Sequence, residues 1–547
     1  MKKKILWVNE PSWRSTGYSV YGKEILSRLS QVDGLEVAEL ACYADQKEAN
    51  ENTTNWRVYG NRPDSNSPEL SAHLANPVRL FGNEMFADVC LDFQPDFVMD
   101  IRDWWMFEFE QRSPYRDFYK WAIMPTVDAA PQRPDWVHTF NSADAVFTYS
   151  EFGRDTLLDQ SDSISFRGVA SPAANERYHP ITPKSKLREE MGVCKDAFIV
   201  GTVMRNQRRK LYPDLFKAFR MLLDRTKNPN VFLHCHKYYP DIGWETPQLL
   251  DEFGLNNRVL FSYKCTECNH ISIDFYKDGV THCSNCGKYK KRMAGLNNSM
   301  NEDELNKIYN LFNIYVQYAN SEGFGMPQLE AAYAGVPIIS VDYSAMGSVV
   351  KNLGAYPLKP LELSMECETG CYRAIPDNVG LADMLRVAIE NRSELPPKGI
   401  NISNKAREIY SWDKTAKVWC DYFLNTPTLD VSETWYSPLD IRQPSDTMPE
   451  GIVSIPDRVD YMFKNVLCKP EWIGGHLWAK TIKGLNYGVR VKSGDADYHF
   501  NESHINSMDK FESFGLRRAY DDMVSIRNNI NQHEIVRGKL LGITKRK

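Results

Sequence analysis

The chain has 547 residues, of which 42% are hydrophobic and 25% are charged, and its formal net charge is −5. This composition is typical of a soluble globular protein with several domains, and the small negative charge gives no general argument for binding nucleic acid or membranes, although a local basic surface stays open. No apolar run reaches transmembrane length, and the lysines at 2–4 are followed at once by an apolar strand, not by a signal-peptide core. We therefore expect a cytosolic protein.

Residues 1–183 are predicted to form a first Rossmann-like α/β domain. The strand Ile5–Val8 is followed by the loop Asn9–Gly17 and the helix Tyr18–Ser30. This order places Gly17 and free backbone N–H groups at the carboxyl edge of a sheet, where such folds bind ligands. Gly17 is the loop residue that we expect nearest to a phosphate, and a plain tight turn between strand and helix is the alternative.

Two later strands of this domain, Pro95–Asp100 and Trp121–Pro125, are followed by polar side chains. Strand ends of this kind face the cleft of a doubly wound fold. The polar residues are Asp100, Arg102, Asp103, Thr126 and Asp128.

Residues 184–425 are predicted to form a second Rossmann-like domain. Its strand Phe198–Met204 is followed directly by Arg205 and Lys210. Two fixed cations at a strand end suit a diphosphate, because they neutralise the charge that builds on a phosphate leaving group. A basic loop on a solvated surface is the alternative.

An insertion at residues 264–293 carries four clustered cysteines, while the other eight of the twelve are scattered. Each Cys-x-x-Cys pair can present two thiolates to one face of a tetrahedron, so the insertion predicts a zinc ribbon with a structural Zn2+ and no open position for water. Iron is the minor alternative, and a reducing compartment disfavours disulfides. The predicted ligands are Cys265, Cys268, Cys283 and Cys286.

The stretch Tyr318–Ala345 contains two glutamates eight residues apart, Glu322 and Glu330, around a Gly-Phe-Gly-Met-Pro turn. The turn opens the predicted helix Gln328–Tyr333, whose free N–H groups and positive dipole end suit an anionic diphosphate. Glu322 is expected in the loop and Glu330 in the first turns of the helix. An ordinary helix start, capped by Glu322, is the alternative.

The segment from Glu322 to Glu330, with the Ala-Gly-Val-Pro sequence that follows it, resembles a motif of retaining nucleotide-sugar glycosyltransferases. In that motif, two glutamates are separated by seven residues. The resemblance is to the large family four, glycosyl transferases group 1, and covers about residues 1–425 apart from the insertion. It implies the GT-B fold, in which two Rossmann-like domains face each other across a cleft. It also implies a nucleotide-sugar donor in the cleft and no divalent metal in the chemistry.

The resemblance assigns the donor site. Arg205 and Lys210 are implied to bind the pyrophosphate near a helix N-terminus, and Glu330 to accept hydrogen bonds from the ribose. The donor-binding set is Gly17, Arg205, Lys210, Phe324, Gly325, Met326 and Glu330.

The resemblance also implies two catalytic candidates, Glu322 near the sugar ring and Asp128 in the cleft. Many family members have a histidine directly before this aspartate, where this chain has Val127. The role of that histidine therefore has no matching residue.

Toward the end of the chain, helices are predicted at Pro376–Asn391 and Asn404–Asn425. Residues 426–450 are rich in Pro, Ser, Asp and Thr and indicate a linker. Residues 451–547 have mixed, mainly helical patterns and a basic end, and they are predicted to form an accessory domain.

The predicted function is transfer of a sugar, with retention of configuration, from a UDP-sugar or a related donor to a hydroxyl acceptor. The ribbon and the basic end suggest a macromolecular acceptor such as phage DNA with hydroxylated bases, which would place the protein in a phage-infected bacterial cell. The alternative to binding of a macromolecular acceptor is that the ribbon only forms a rigid cap on the cleft. The alternative function is a non-catalytic module that binds nucleic acid or protein on a degenerate transferase fold.

Overall fold

The computed structural model describes residues 2–431 except 77–78, 112, 114 and 296–297, together with the backbone of two strands at 488–493 and 496–501. The predicted linker at 426–450 lies outside the described residues from 432 onward. The predicted, mainly helical accessory domain at 451–547 also lies outside them, apart from that pair of strands.

The first half of the chain alternates strands with helices. Its strands are β1 (Lys3–Asn9), β2 (Leu35–Asp45), β3 (Arg57–Arg62), β4 (Phe97–Asp100), β5 (Lys120–Ile123), β6 (Ala145–Thr148) and β7 (Phe166–Val169). Its helices are α1 (Gly17–Leu29), α2 (Gln46–Glu51), α3 (Leu70–Leu74), α4 (Phe86–Phe93), α5 (Trp104–Gln111), α6 (Pro134–Asn141) and α7 (Glu151–Gln160). The strands form one parallel sheet in the order β3-β2-β1-β4-β5-β6-β7, the order of a doubly wound fold.

The second half repeats this plan with additions. Its strands are β8 (Phe198–Val203), β9 (Val231–His236), β10 (Val259–Cys265), β11 (Ile271–Phe275), β12 (Thr281–His282), β13 (Tyr289–Met293), β14 (Ile314–Gln317), β15 (Ile338–Val341), β16 (Tyr356–Leu358), β17 (Pro360–Met365) and β18 (Tyr372–Pro376). Its helices are α8 (Lys184–Glu190), α9 (Tyr212–Thr226), α10 (Thr246–Glu252), α11 (Glu302–Leu311), α12 (Met326–Tyr333), α13 (Ser344–Leu353), α14 (Asn378–Glu390), α15 (Leu395–Ile409) and α16 (Trp412–Asn425).

The second sheet has a parallel core in the order β10-β9-β8-β14-β15-β16. The insertion extends this sheet, because β11 and β13 pair antiparallel with β10, and β12 pairs with β13. Strands β17 and β18 form a separate antiparallel hairpin. The last described strands, β19 (Gly488–Ser493) and β20 (Ala496–Asn501), pair with each other.

The central strands are buried on both faces, as expected of parallel sheets covered by helices. All six residues of β8 are buried. Gly201 in this strand is required by packing, because a Cβ there would lie 2.1 Å from the ring of Phe312. The small residue lets the end of α11 pack directly on the sheet.

The chain returns to the first half through α16. The Trp419 side chain is fully buried and donates its indole N–H to the Tyr21 hydroxyl at 2.9 Å. The Lys3 ammonium, at the start of β1, donates to the Leu424 carbonyl at 2.7 Å. The last described helix therefore packs on the first elements of the chain. The predicted domain boundary at residue 183 stays a prediction.

The predicted single helix Asn404–Asn425 is wrong, because the chain breaks there into α15 and α16. Tyr410 leaves helical geometry, with φ −109° and ψ 111°. Ser411 then caps α16, since its side chain accepts a hydrogen bond from the Lys414 N–H at 3.2 Å. The break turns the chain toward the first half.

Candidate active site

The loop between β14 and α12 leaves the N-terminus of that helix uncapped. Gly325, the residue before α12, has φ +85°, a left-handed conformation that favours glycine. A Cβ at this position would also lie 3.1 Å from the Gln328 amide nitrogen. No described side chain caps α12; Pro327 has no N–H and the Gln328 N–H bonds to the Gly325 carbonyl at 3.1 Å, which leaves the Met326 N–H and the positive end of the helix dipole to an anion.

Glu322 lies in this loop and is buried, with 5% of its surface exposed. Its carboxylate forms ion pairs with Lys210 and, at 2.7 Å, with Arg209. The Gln317 side-chain amide donates to the same carboxylate at 3.0 Å, and the Glu322 backbone N–H donates to the Ser344 hydroxyl at 3.0 Å. Glu322 is therefore held from four sides, next to two cations.

Arg205 lies in the same basic loop but turns away from Lys210. Its guanidinium forms a bidentate ion pair with Asp241, with two N–O distances of 3.0 Å. Burial acts to raise the pKa of Asp241, but the Arg205 guanidinium, the Ile242 N–H and Lys237 together outweigh it and lower that pKa. Arg209 takes the position beside Lys210, and the basic run 205–210 was the only sequence signal for it.

Glu330 is the fifth residue of α12 and faces α11. The Tyr309 hydroxyl donates to its carboxylate at 2.5 Å. Burial raises the pKa of Glu330 to about 7, and the negative charge of Glu302 adds to this effect, while the Tyr309 hydrogen bond opposes it. A carboxylate so placed can accept hydrogen bonds from two vicinal hydroxyls once it is ionised.

The first half contributes the opposite wall of the cleft. Gly17 begins α1 behind its cap Thr16, and a Cβ on Gly17 would lie 4.0 Å from the Met326 sulfur. A Cβ on Gly323 would lie 2.4 Å from the Thr126 methyl group, so the two halves meet there without room for a side chain. The structure therefore places the predicted Gly17 loop against the start of α12.

Asp128 lies on this wall and contacts the second half. Its carboxylate is 2.8 Å from an Arg373 guanidinium nitrogen and accepts a hydrogen bond from the Ser321 hydroxyl at 3.2 Å. Burial, together with the Asp128 charge, raises the pKa of the neighbouring Asp103 to about 6. Val127 is packed in the core of the first half and does not reach the cleft.

The structure thus brings most predicted site residues to one cleft and sets two apart. Arg205 is paired with Asp241, and the Phe324 ring is buried against Tyr410, with ring centres 5.8 Å apart. Sequence reasoning did not find Arg373, which is distant in sequence from Asp128 and Ser321. The residues that lie around the cleft are Gly17, Asp128, Lys210, Glu322, Gly325, Met326 and Glu330.

The four insertion cysteines lie together at the end of β10. Their sulfur atoms all lie within 4.8 Å of one another. The Cys265 and Cys286 sulfurs are 3.7 Å apart, as are those of Cys268 and Cys283. A tetrahedron with Zn–S bonds of about 2.3 Å has S–S edges of about 3.8 Å, whereas a disulfide bond is about 2.05 Å long. The arrangement fits a tetrahedral metal and not disulfides.

Comparison with known proteins gives a family match and many structural matches. A sequence model of the family Glycosyl transferases group 1 matches residues 291–357, the segment with both motif glutamates. No curated protein sequence matches the chain.

Three solved structures show the fold. Sucrose-phosphate synthase from Thermosynechococcus elongatus has a TM-score of 0.58 at 15% identity, with 78% of this chain and 100% of that chain covered. The Anabaena protein Alr3699/HepE, in complex with UDP and glucose, has a TM-score of 0.53 at 14% identity, with the same coverage. The E. coli trehalose-6-phosphate structure bound with UDP-2-fluoro glucose has a TM-score of 0.52 at 12% identity, again with 78% and 100% covered.

Among the described helices, none is long and apolar enough to cross a bilayer. The two parallel sheets, the cleft between them and these matches give the chain the GT-B fold. Together with the family match at residues 291–357, they support a glycosyltransferase.

Proposed function

We propose that the protein is a retaining glycosyltransferase that moves a sugar from a UDP-sugar to a hydroxyl acceptor. One observation carries the proposal: two cations, Lys210 and Arg209, lie at the buried carboxylate of Glu322 beside the uncapped N-terminus of α12. Neighbours with this fold are known in complex with UDP and glucose or with UDP-2-fluoro glucose. The same donor class suits this cleft.

The diphosphate of the donor supplies the negative charge that these cations need. In the structure the Glu322 carboxylate neutralises them, so an arriving diphosphate competes with it for Lys210 and Arg209. As the sugar–phosphate bond breaks, charge builds on the leaving diphosphate. Fixed cations and the positive end of the helix dipole stabilise that charge without a proton transfer, which lowers the barrier.

Glu330 is proposed to hold the ribose. It is the fifth residue of α12, just over one turn from the helix start. A nucleotide whose phosphates bind at the helix start therefore has its ribose within reach of Glu330. The neighbouring Tyr309 hydroxyl fixes one carboxylate oxygen and leaves the other as an acceptor. Asp128, on the opposite wall, is proposed to act at the sugar with Glu322.

The proposed zinc ribbon is structural. Four thiolates close the coordination sphere, so no position stays open for a reacting water. The insertion is anchored to the sheet through β10 and to α11 through an ion pair of 2.7 Å between Lys264 and Glu304.

A macromolecular acceptor such as hydroxylated phage DNA is proposed from the surface of the insertion. Residues 264–293 contain six Lys and Arg and three Asp and Glu; Lys264 and Lys291 are buried, and the other four cations are exposed, with Lys288 paired to Glu267. Lys288 and Lys290 are exposed beside Tyr289, whose ring contacts His282 with centres 5.1 Å apart. Cations next to an exposed aromatic ring suit a nucleic-acid strand. This acceptor would place the enzyme in the cytosol of a phage-infected bacterial cell.

Replacing Lys210 tests the donor site. Lys210→Ala should lower turnover of the accepted nucleotide sugar by about 100-fold, because one buried cation at a developing anion contributes about 3 kcal/mol. The donor is found first by measuring which nucleotide sugar raises the melting temperature of the wild type, and its turnover is then followed by nucleoside diphosphate release.

Arg208→Ala is the matched control for this variant. Arg208 belongs to the same loop, but its side chain is 86% exposed and lies 4.0 Å from Glu368, so its loss should leave turnover within twofold of the wild type. Equal turnover in Lys210→Ala and wild type would contradict the assignment. A wild type that binds a nucleotide sugar and never releases the diphosphate would instead favour the non-catalytic module.

A further inference from the structure

We propose that Arg373 is a positioning residue, which brings Asp128 from the first half of the protein against the Glu322 loop when the cleft closes. The inference rests on the proposed function, since it gives closure a role in sugar transfer. It is carried by the hairpin β17–β18, which sequence reasoning left unassigned.

The hairpin belongs to the second half but docks on the first. The Tyr372 N–H donates to the Ala130 carbonyl at 2.8 Å. The Tyr343 hydroxyl donates to the Tyr372 carbonyl at 2.6 Å and accepts from the Ala130 N–H at 3.3 Å. The Cys371 side chain is fully buried in the hydrophobic core of the first half. The hairpin therefore spans the cleft beside Asp128.

Arg373 is oriented by its own hairpin. Two of its guanidinium nitrogens donate to one carboxylate oxygen of Glu366, at 3.1 and 3.2 Å, and that oxygen also accepts from the Thr369 hydroxyl at 2.7 Å. The third nitrogen lies 2.8 Å from the Asp128 carboxylate. Because Glu366 and Thr369 belong to the hairpin, they hold the guanidinium whether or not Asp128 is present.

The contact reaches the donor site through Ser321. The Ser321 hydroxyl is hydrogen bonded both to Asp128, at 3.2 Å, and to Arg373. Ser321 directly precedes Glu322, whose carboxylate faces Lys210 and Arg209. Asp128, Arg373 and Ser321 thus form a triangle that fixes the distance between the two catalytic candidates.

Opening of the cleft breaks the two sides of this triangle that meet at Asp128 and leaves the Arg373–Ser321 contact. Asp128 then loses both partners, whereas Arg373 keeps Glu366 and Ser321 keeps its place in the loop. The Arg373 side chain is 16% exposed and that of Asp128 is 23% exposed, so the ion pair is largely shielded from solvent. Its strength therefore depends on the distance and orientation of the two groups. Closure therefore both joins the halves and completes the site.

Hydrogen exchange of single amides in the whole protein tests the contact without a substrate. The Tyr372 N–H bonds to the first half, while the Ala374 N–H bonds to the Asn320 carbonyl within the second half, at 3.0 Å. Arg373→Ala should speed exchange of the Tyr372 amide about tenfold or more and leave the Ala374 amide unchanged. Arg373→Lys should show a smaller increase in the exchange rate, because a lysine ammonium replaces only some of the hydrogen bonds of the guanidinium.

Arg133→Ala is the matched control. Arg133 makes another contact between the halves on the same hairpin, to the Glu368 carbonyl at 3.4 Å, and its side chain is 45% exposed. It does not touch Asp128. Its loss should leave exchange of the Tyr372 amide within about twofold of the wild type.

Kinetics separate positioning from a merely structural role. Arg373→Ala should lower kcat for diphosphate release at least tenfold while the Kd of the donor changes less than twofold, since all the proposed donor residues except Gly17 lie on the second half. Asp128→Asn should lower kcat at least as much as Arg373→Ala, and the two changes combined should be no slower than Asp128→Asn alone, because Arg373 acts through Asp128.

Each outcome decides the inference. An unchanged Tyr372 amide in Arg373→Ala overturns it, and so does faster exchange of both amides, which would mean that the hairpin itself unfolds. Faster exchange of the Tyr372 amide alone, with the kcat loss, supports it. A wild type that turns over no nucleotide sugar contradicts the proposed function, and the two amides still decide whether Arg373 joins Asp128 to the Glu322 loop.

Discussion

Glu330 lies in an environment that moves its pKa into the neutral range. Burial raises its pKa from the ordinary value of 4.5 to about 7, and the Tyr309 hydroxyl donates to it from α11. A ribose needs the ionised form, because a protonated carboxyl group has less capacity to accept hydrogen bonds. Donor binding should therefore depend on pH near neutrality.

The affinity for UDP-glucose should rise as the pH goes from 6 to 8 in the wild type. Glu330→Gln should bind this donor about tenfold more weakly at pH 8, with little pH dependence, because the amide accepts but carries no charge. Calorimetric titration from pH 5.5 to 8.5 measures both. UDP-glucose is a better probe than UDP, whose terminal phosphate itself titrates near pH 6. A wild-type affinity that is flat over this range would contradict the assignment.

Stability in the absence of donor should change in the opposite sense. The folded-state pKa lies above the unfolded one, so protonation of Glu330 contributes stability that is complete below about pH 4.5 and is lost as the pH rises through about 7. Glu330→Gln cannot ionise and keeps the acceptor for Tyr309. The melting temperature of Glu330→Gln should therefore rise relative to that of the wild type as the pH increases from 5 to 8.

At the scale of elements, the metal content of the protein tests whether the insertion is a zinc ribbon. Freshly purified protein should contain one zinc ion per chain, measured by elemental analysis. Cys283→Ser combined with Cys286→Ser should lose the metal and melt at a lower temperature, since metal binding stabilises the folded insertion. Cys194→Ser, at an exposed cysteine outside the insertion, is the control and should keep the full metal content. Substoichiometric zinc in the wild type would count against the ribbon.

The same double variant addresses the DNA acceptor. If the basic surface of the folded insertion binds DNA, the wild type should retain DNA on filters with an affinity that falls steeply with salt. The variant should lose that retention. Wild-type retention that is absent or insensitive to salt would remove DNA as the acceptor and favour the rigid cap.

The elements that could be predicted are those with local signals. The α12 start and Glu322 are encoded within one short stretch, because a glycine with positive φ, a proline and the following apolar helix are neighbours in sequence. The cysteine pairs are equally local. The predictions for both features depended on the residue types and their spacing within one short segment.

Features that depend on distant partners could not be predicted. The Arg205 side chain pairs with Asp241 because a loop after β9 lies beside it, and nothing in the basic run 205–210 indicates which cation faces Glu322. The break at Tyr410 has a local cap in Ser411, but its direction depends on packing against Phe324. Arg373 and Asp128 are separated by most of the second half, and only the closed cleft brings them together.

At the scale of the whole molecule, the first half depends on a helix from the end of the described GT-B chain. Helix α16 follows all the elements of the second half, yet its Trp419 ring packs on Phe147, with centres 4.2 Å apart, and on Trp7, with centres 5.6 Å apart. The indole N–H also bonds to the Tyr21 hydroxyl. The first half therefore cannot complete its core before the chain has been made as far as α16.

This arrangement predicts that the two halves unfold together. Trp419→Ala should lower the free energy of unfolding by about 3–5 kcal/mol, because it removes a fully buried ring and leaves a cavity under α16. Urea unfolding followed by circular dichroism measures the loss, and it should stay a single transition. Lys417→Ala, which removes an exposed ion pair on the same helix, should change stability by less than about 0.5 kcal/mol. UDP-glucose should still stabilise Trp419→Ala, since all the proposed donor residues except Gly17 lie on the second half. A loss below about 1 kcal/mol, or a transition that splits in two, would mean that α16 is an addition to the first half and not part of its core.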